Sequence, residues 1–510
     1  MRLLRMNFSQ ARVRLVEAGA VFTVAVLIAG CGNNYRPVVT PVNPSGPAAQ
    51  PQSFAVVVTA PSPTTPGIIT VIDYAGDSLL AQASIGPGPT AFSLDETGYN
   101  GYAIDSDGTL SNIPVSSTMQ TKNVSFSTLP STAKPLNLFS PSAGLWATDL
   151  YGNLADVFTG GPAALLLSIP LAPTPVMVTG PAINGRRYFA VSQNITTPTG
   201  LECNNSPTTQ PLGVVTPIEV ASYTTDTPIQ VGKCPVYAVA SSDATRLFVM
   251  NRGSDTISVI NVQYGTLNTC VPFLNQAGQP VTCHPTLPLS TTAVTATGII
   301  PPNCNHTADP TCGGMPVTAG PVYAEYNAAK NLLVVADYAG NTISVIDVSE
   351  DEYGNDSSTF GTTYTIPVGN NPASVTVLLD GSRAYTANQT DKSVTIANLS
   401  SNTVEKTLPV TGYPRTVVNT QNSTYGKVYV GSPNSNYLTI LRTDQDIVDT
   451  TILLEGDIVD VRVTTQDASK GNNNIVSRIP GYGQPCNLPP GVMVSTYGPS
   501  YTLANCQKQP

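Results

Sequence analysis

Three stretches decide the fold: RLFVMNRGSDTISVIN (246–261), LLVVADYAGNTISVID (332–347) and AYTANQTDKSVTIAN (384–398). Each reads as a short alternating strand ending in Asn or Asp, a polar turn, and a second strand ending the same way. The polar ends lie ten residues apart each time: Asn251 to Asn261, Asp337 to Asp347, Asn388 to Asn398. Period-two alternation marks a strand with one buried face, and Asn and Asp suit the turns because they bond their own backbone and tolerate left-handed angles. KVYVGSPNSNYLTILR (427–442) keeps the spacing from Ser432 to Arg442. Weaker copies lie at GYAIDSDGTLSNI (101–113) and GLWATDLYGNLADVF (144–158).

Working outward, each copy follows an apolar strand led by proline: Pro89, Pro135, Pro175, Pro235, Pro321, Pro372 and Pro414. Proline suits the first residue of a strand, where its missing N–H costs no ladder bond. The intervals are 46, 40, 60, 86, 51 and 42 residues. Many units also close with a further strand, such as TIPVG (365–369) or KTLPV (406–410). Four strands recurring every 40–45 residues or so are the signature of propeller blades. The expected fold is therefore all-β, a single propeller of four-stranded antiparallel blades. The first unit shows only three strands, 53–59, 67–72 and 79–85, while an orphan, DIVDVRV (457–463), follows the last full unit. Pairing the two closes the ring with a C-terminal strand in the first blade. The count is then eight, or seven if 135–175 is not a true blade.

The stretches LFVMNRGSDTISVIN and AYTANQTDKSVTIAN resemble the YVTN β-propeller repeat family, which includes bacterial YncE-like proteins. The resemblance covers roughly residues 53–463. It implies a propeller, for which seven blades are the commoner number, and it is nearly silent on chemistry. The family shades into propellers described as lactonases.

The N-terminus reads as an export signal. Arg2, Arg5, Arg12 and Arg14 precede an apolar run from Ala18 to Ala29, too short to span a bilayer as a mature helix. The run ends in Leu27-Ile28-Ala29-Gly30-Cys31, which resembles the lipobox of bacterial lipoproteins. That implies cleavage before Cys31 and its acylation. Since Gly32 is not the Asp that retains lipoproteins at the inner membrane, the same resemblance implies an outer-membrane location. Domain expectations follow: a lipoprotein signal peptide over 1–30, a Pro-rich tether over 31–52, the propeller over 53–463 and a C-terminal extension over 464–510. Two long deviations lie near 193–214 and 262–319, and loops of that length are usually functional or disordered.

Charged residues are 11 % of the chain, with 45 Pro and 41 Gly. Removing the signal takes away four Arg and one Glu, so the net charge goes from −9 to −12. Nucleic acid is not an expected partner, because phosphate binding needs clustered Lys and Arg. Besides Cys31 there are Cys203, Cys234, Cys270, Cys283, Cys304, Cys312, Cys486 and Cys506. An even count in an exported chain points to disulfides. Spacing leaves the connectivity open, and nearest-neighbour pairing is the simplest form: 203–234, 270–283, 304–312 and 486–506. Zinc at Cys283-His284 or Cys304-x-His306 lacks the usual two tight pairs, so no metal residues are expected. Calcium, as a cofactor, has only the clusters DSDG (105–108) and SEDEYGND (349–356) in its favour, without a full binding-loop spacing.

No GxSxG, HExxH or P-loop occurs, and no catalytic residue is assigned. Equivalent hairpins from successive blades converge on one face around the channel. Candidate ligand-binding residues there are Asn251, Asp337 and Asn388, with Arg252 and Tyr338 directly following two of them. The alternative reading of the Asn and Asp residues is turn chemistry alone. The expected function is an envelope-anchored, non-enzymatic binding or scaffolding module, attached to the membrane through its lipid, for a protein or glycan of the envelope. The alternative is a lactonase-like or other hydrolase with an acidic pocket at the channel mouth. Carboxylates converging there would favour the enzyme, and a mouth of Ser, Thr and Asn would favour binding.

Overall fold

The computed structural model describes residues 54–464, apart from 196–210, 270–281, most of 290–318 and several short turns. Cys31, the tether, the C-terminal extension and six of the eight remaining cysteines lie outside the described residues. Of the two within them, Cys234 is buried, and neither Cys234 nor Cys283 is a free thiol.

The strands form eight antiparallel blades, so the eight-blade count holds and the 135–175 unit is a true blade. We letter the strands of each blade a to d from the channel outward. Blade 5 is Pro235–Ala240, Arg246–Asn251, Thr256–Asn261 and an outer edge of Thr266–Leu267 and Thr286–Pro288. Blade 6 is Pro321–Asn327, Leu332–Asp337, Thr342–Asp347 and Thr363–Pro367. Blade 7 is Pro372–Val377, Arg383–Asn388, Ser393–Asn398 and Thr403–Pro409. Blade 8 is Thr416–Asn419, Lys427–Gly431, Tyr437–Arg442 and Ile447–Leu453.

Blade 1 takes strands b to d from Phe54–Ala60, Pro66–Asp73 and Ser78–Pro87, and its inner strand from Asp457–Val463. Val57 pairs with Val461 and Ala55 with Val463, with a bulge beside Thr59. The expected closure is thus present. Each inner strand packs beside the next around the ring, the last beside the first.

Eight buried apolar clusters hold the ring, one at each junction between neighbouring blades. Period two explains this: one set of strand side chains faces each neighbour, so both faces of every blade are buried, and burial is the main stabilising contribution. The single tryptophan, Trp146, is fully buried where the blade of strands Pro135–Phe139, Leu145–Asp149, Leu154–Phe158 and Leu165–Pro170 meets the next blade, edge-on to Tyr188 of strand Arg187–Ser192 at 5.4 Å.

Five leading prolines behave alike. Pro135, Pro175, Pro235, Pro321 and Pro372 each pair with the last residue of strand b, and the register shifts immediately afterwards. One expectation needs correction. The excess over 262–319 is not all insertion, because it supplies the outer strand Thr286–Pro288, which pairs with Thr256–Ser258.

Candidate functional site

The b–c hairpins all project at the end of the blades where the prolines sit. In blades 5, 6 and 7 the residue before strand c has a left-handed backbone: Asp255, Asn341 and Lys392. Such an angle ends a tight hairpin, and Asn and Asp adopt it at little cost.

Asn251, Asp337 and Asn388 are enclosed, at 0–1 % exposure. The Asn251 amide donates to the hydroxyls of Thr256 at 3.2 Å and Ser258 at 3.0 Å. The Asn388 amide does the same to Ser393 at 3.0 Å and Thr395 at 2.8 Å. The Asp337 carboxylate instead accepts from Thr342 at 3.2 Å and Ser344 at 2.6 Å. All three clasp the hairpin by bonding hydroxyls five and seven positions on. Asn251 and Asn388 also seat the preceding blade: a Cβ on Gly232 would lie 2.6 Å from Asn251 Cγ, and one on Gly369 would lie 2.7 Å from Asn388 Cγ. Their side chains therefore face the protein rather than a solvent-lined mouth.

The residues that follow them do meet on the surface. The Arg252 guanidinium stands over the Tyr338 ring, 5.5 Å from its centroid. The Tyr338 hydroxyl donates to Gln389 Oε1 at 3.1 Å. Blades 5, 6 and 7 are thereby joined in one line. The arc continues with Lys392 Nζ, 4.6 Å from the centroid of the Tyr413 ring. Tyr413 is 43 % exposed, Tyr437 41 % and Leu453 60 %, and the last two pair across blade 8. The face thus carries aromatic rings flanked by amides, hydroxyls and two cations, each cation–π pair worth about 0.5–1 kcal/mol.

The inner strands carry a second group of residues, which the sequence reading missed. From blade 6 round to blade 1 they are stitched by polar bonds. Glu325 accepts from the Val377 N–H at 2.6 Å, and Asn419 donates to Thr376 Oγ1 at 2.6 Å. Ser374 donates to the Arg415 carbonyl at 2.7 Å, and Arg415 to the Val459 carbonyl at 2.7 Å. Asp460 accepts from Thr416 at 3.2 Å and from Arg462 at 2.7 Å. The rings of Tyr237 and Tyr323, from blades 5 and 6, meet at a tilt of 30° with centroids 4.5 Å apart. Burial pushes the Tyr237 phenol well up, and its neighbour Tyr323 adds to this. Arg462, from blade 1 across the channel, is close enough for its charge to act on both phenols. Burial works against that guanidinium, but Asp460 and the phenols outweigh it, so its charge is held firmly.

A third cluster lies at the opposite end of the blades. Asp356, fully buried, accepts from Arg246 at 3.2 Å, from the Asn268 amide at 2.9 Å and from the His284 N–H at 2.7 Å. The His284 ring approaches it at 2.9 Å and stacks on Phe360. Glu350 meets Arg246 at 3.1 Å, yet burial and the neighbouring Asp243 push its carboxyl up to about 8. The acidic stretch over 349–356 thus serves Arg246 and the blade-5 excursion. At DSDG, Asp105 accepts from Ser111 at 2.7 Å and Thr109 at 3.1 Å. Among the described residues no three His, Cys, Asp or Glu side chains are arranged to hold a metal ion.

No family model matches the chain, and comparison with curated proteins returns no similar sequence. Solved structures do resemble it. Apo AztD from Citrobacter koseri aligns with a TM-score of 0.53 at 12 % identity, over 83 % of this chain and 99 % of that one. The dihydro-heme d1 dehydrogenase NirN, in complex with DHE, aligns with a TM-score of 0.53 at 12 % identity, over 84 % of this chain and 78 % of that one. At such identities the likeness is one of fold, and the chain is an eight-bladed β-propeller.

Proposed function

We propose that this propeller is a non-enzymatic binding module of the bacterial cell envelope, anchored through a lipidated Cys31, and that its hairpin face over blades 5 to 8 takes a glycan. One observation carries the reading: Arg252, Tyr338 and Gln389 form a single line over three blades, continued by the exposed Tyr413 and Tyr437. Sugar rings present apolar faces that stack on aromatics and hydroxyls that bond amides, and this face offers both partners side by side. Fixed elements hold the side chains, so little freedom is lost on binding. The carboxylates of the inner ring, Glu325 and Asp460, are already engaged by a backbone N–H and by Arg462, which favours binding over a hydrolase.

The test uses the mature chain made soluble by Cys31→Ser. It should co-sediment with purified peptidoglycan sacculi. Tyr338→Ala and Tyr413→Ala should each weaken this at least about tenfold, a loss of 1.4 kcal/mol. Absence of co-sedimentation, or sedimentation indifferent to both substitutions, would overturn the glycan reading and turn attention to a protein partner. In cells, Cys31→Ser should move the protein out of the membrane fraction. Retention there with the leader intact would overturn the anchor.

A further inference from the structure

Asp337 occupies the place that Asn251 and Asn388 occupy in the flanking blades. An amide there donates to two hydroxyls. An ionised carboxylate at that place could only accept from Thr342 and Ser344, whereas a carboxyl with its proton on Oδ2 donates to one of them, as the amides do. Its Oδ1 is buried and has no hydrogen-bond partner among the described residues. The position is built for a neutral group, and a carboxyl matches it only with its proton on.

We propose that Asp337 carries a proton in the folded protein, and that losing it as the pH rises loosens the blade-6 hairpin that presents Tyr338, making the binding face pH-sensitive. The last clause rests on the function proposed above; the protonation does not.

The surroundings agree. Strand a presents Pro321 to Asp337, and strand c presents Thr342 and Ser344, none of which ionises in this range. From blade 5 comes Asp255, another carboxylate, held by the Gly320 N–H at 2.8 Å and itself raised by burial. Arg252 stands over the ring of Tyr338, one residue on. Burial, with the like charge of Asp255 adding to it, lifts the Asp337 carboxyl to about 7, against the pull of its two hydroxyl partners. This folded value lies above that of an unfolded aspartate. The stabilising contribution is therefore complete below about pH 4 and is lost as the pH rises through about 7. In the same step the buried anion repels Asp255. Tyr338, whose backbone carbonyl accepts from the Asn371 side-chain amide and whose hydroxyl donates to Gln389, sits directly on the hairpin that must give.

Asp337→Asn reproduces the blade-5 and blade-7 arrangement and cannot ionise. Melting curves of the mature chain and this variant should converge below pH 5. They should diverge above pH 7, with the variant at least about 2 °C higher at pH 8. Hydrogen exchange over residues 337–342, corrected for its intrinsic pH dependence, should be faster in the wild type than in the variant at pH 8 and equal at pH 5. The reciprocal Asn388→Asp should bring the same pH-dependent loss of melting temperature to blade 7. Parallel melting curves for Asp337→Asn and wild type across pH 5–8 would overturn the proposal, whatever the protein binds. With sacculi as probe, wild-type sedimentation should fall between pH 6 and 8 while that of Asp337→Asn holds. Absence of sedimentation in both proteins at every pH, with divergent melting curves, would strike the binding reading and support the proton on Asp337.

Discussion

The backbone N–H of Phe54 donates to the Thr464 hydroxyl at 2.6 Å, across 410 positions of sequence. The Thr464 N–H returns a bond to the Phe54 carbonyl at 2.8 Å. This clasp ends the pairing of the inner strand with strand b of blade 1, where the two extremities of the ring meet. Ile458, Val461 and Val463 are buried in that seam, and each such side chain contributes roughly 1.5–3 kcal/mol.

A chain ending at residue 456 should therefore lose cooperative unfolding and aggregate through the exposed strand edge. One ending at 465 should keep the cooperative transition. Circular dichroism melts of the two compare them directly, and equal melting temperatures would refute the seam as the keystone of the ring.

Asp356 is the counter-charge of Arg246, whose side chain is 5 % exposed. Asp356→Ala leaves that cation buried beside Glu350 alone and releases Asn268 and His284. A cost of about 3–5 kcal/mol is expected, as for other broken buried pairs. Urea unfolding measures it, and limited proteolysis should show faster cleavage around His284.

Glu350 and Asp105 share the direction argued for Asp337. Burial raises them to about 8 and about 6, above the ordinary carboxylate values. Folding then takes up protons. Their contribution is complete below the unfolded values near pH 4 and is lost as the pH rises through 6 for Asp105 and 8 for Glu350. The protein should be more stable at pH 5 than at pH 8.5, and Glu350→Gln should flatten the upper part of that slope. Chemical unfolding at several pH values checks both.

The blades were legible because Asn or Asp closes strand b at a fixed distance from the end of strand c, and proline opens strand a. Those residues carry turn and edge chemistry that survives wherever they fall. The outer strand of blade 5 was not legible: Thr286–Pro288 is three residues long, too short for alternation to show. Asn251, Asp337 and Asn388 stood out by their repetition, and the repetition follows from the clasp each makes inside its hairpin. Arg252 and Tyr338 were visible as their neighbours, whereas Gln389 needed the geometry. Tyr237 and Tyr323 left a faint signal, since each lies two residues after its leading proline. Nothing in a linear reading brings Arg462 to them, because its blade is shared between the two extremities of the ring.

That sharing also sets a direction. Strand b of blade 1 runs from Phe54 towards its hairpin, and the inner strand runs back to Val463. The chain therefore enters and leaves the ring at the end of the blades opposite the Arg252–Tyr338–Gln389 line. The clasp of Phe54 and Thr464 thus works as a buckle on one rim of the ring, and it leaves the aromatic arc on the other rim clear of the points where the chain enters and leaves the blades.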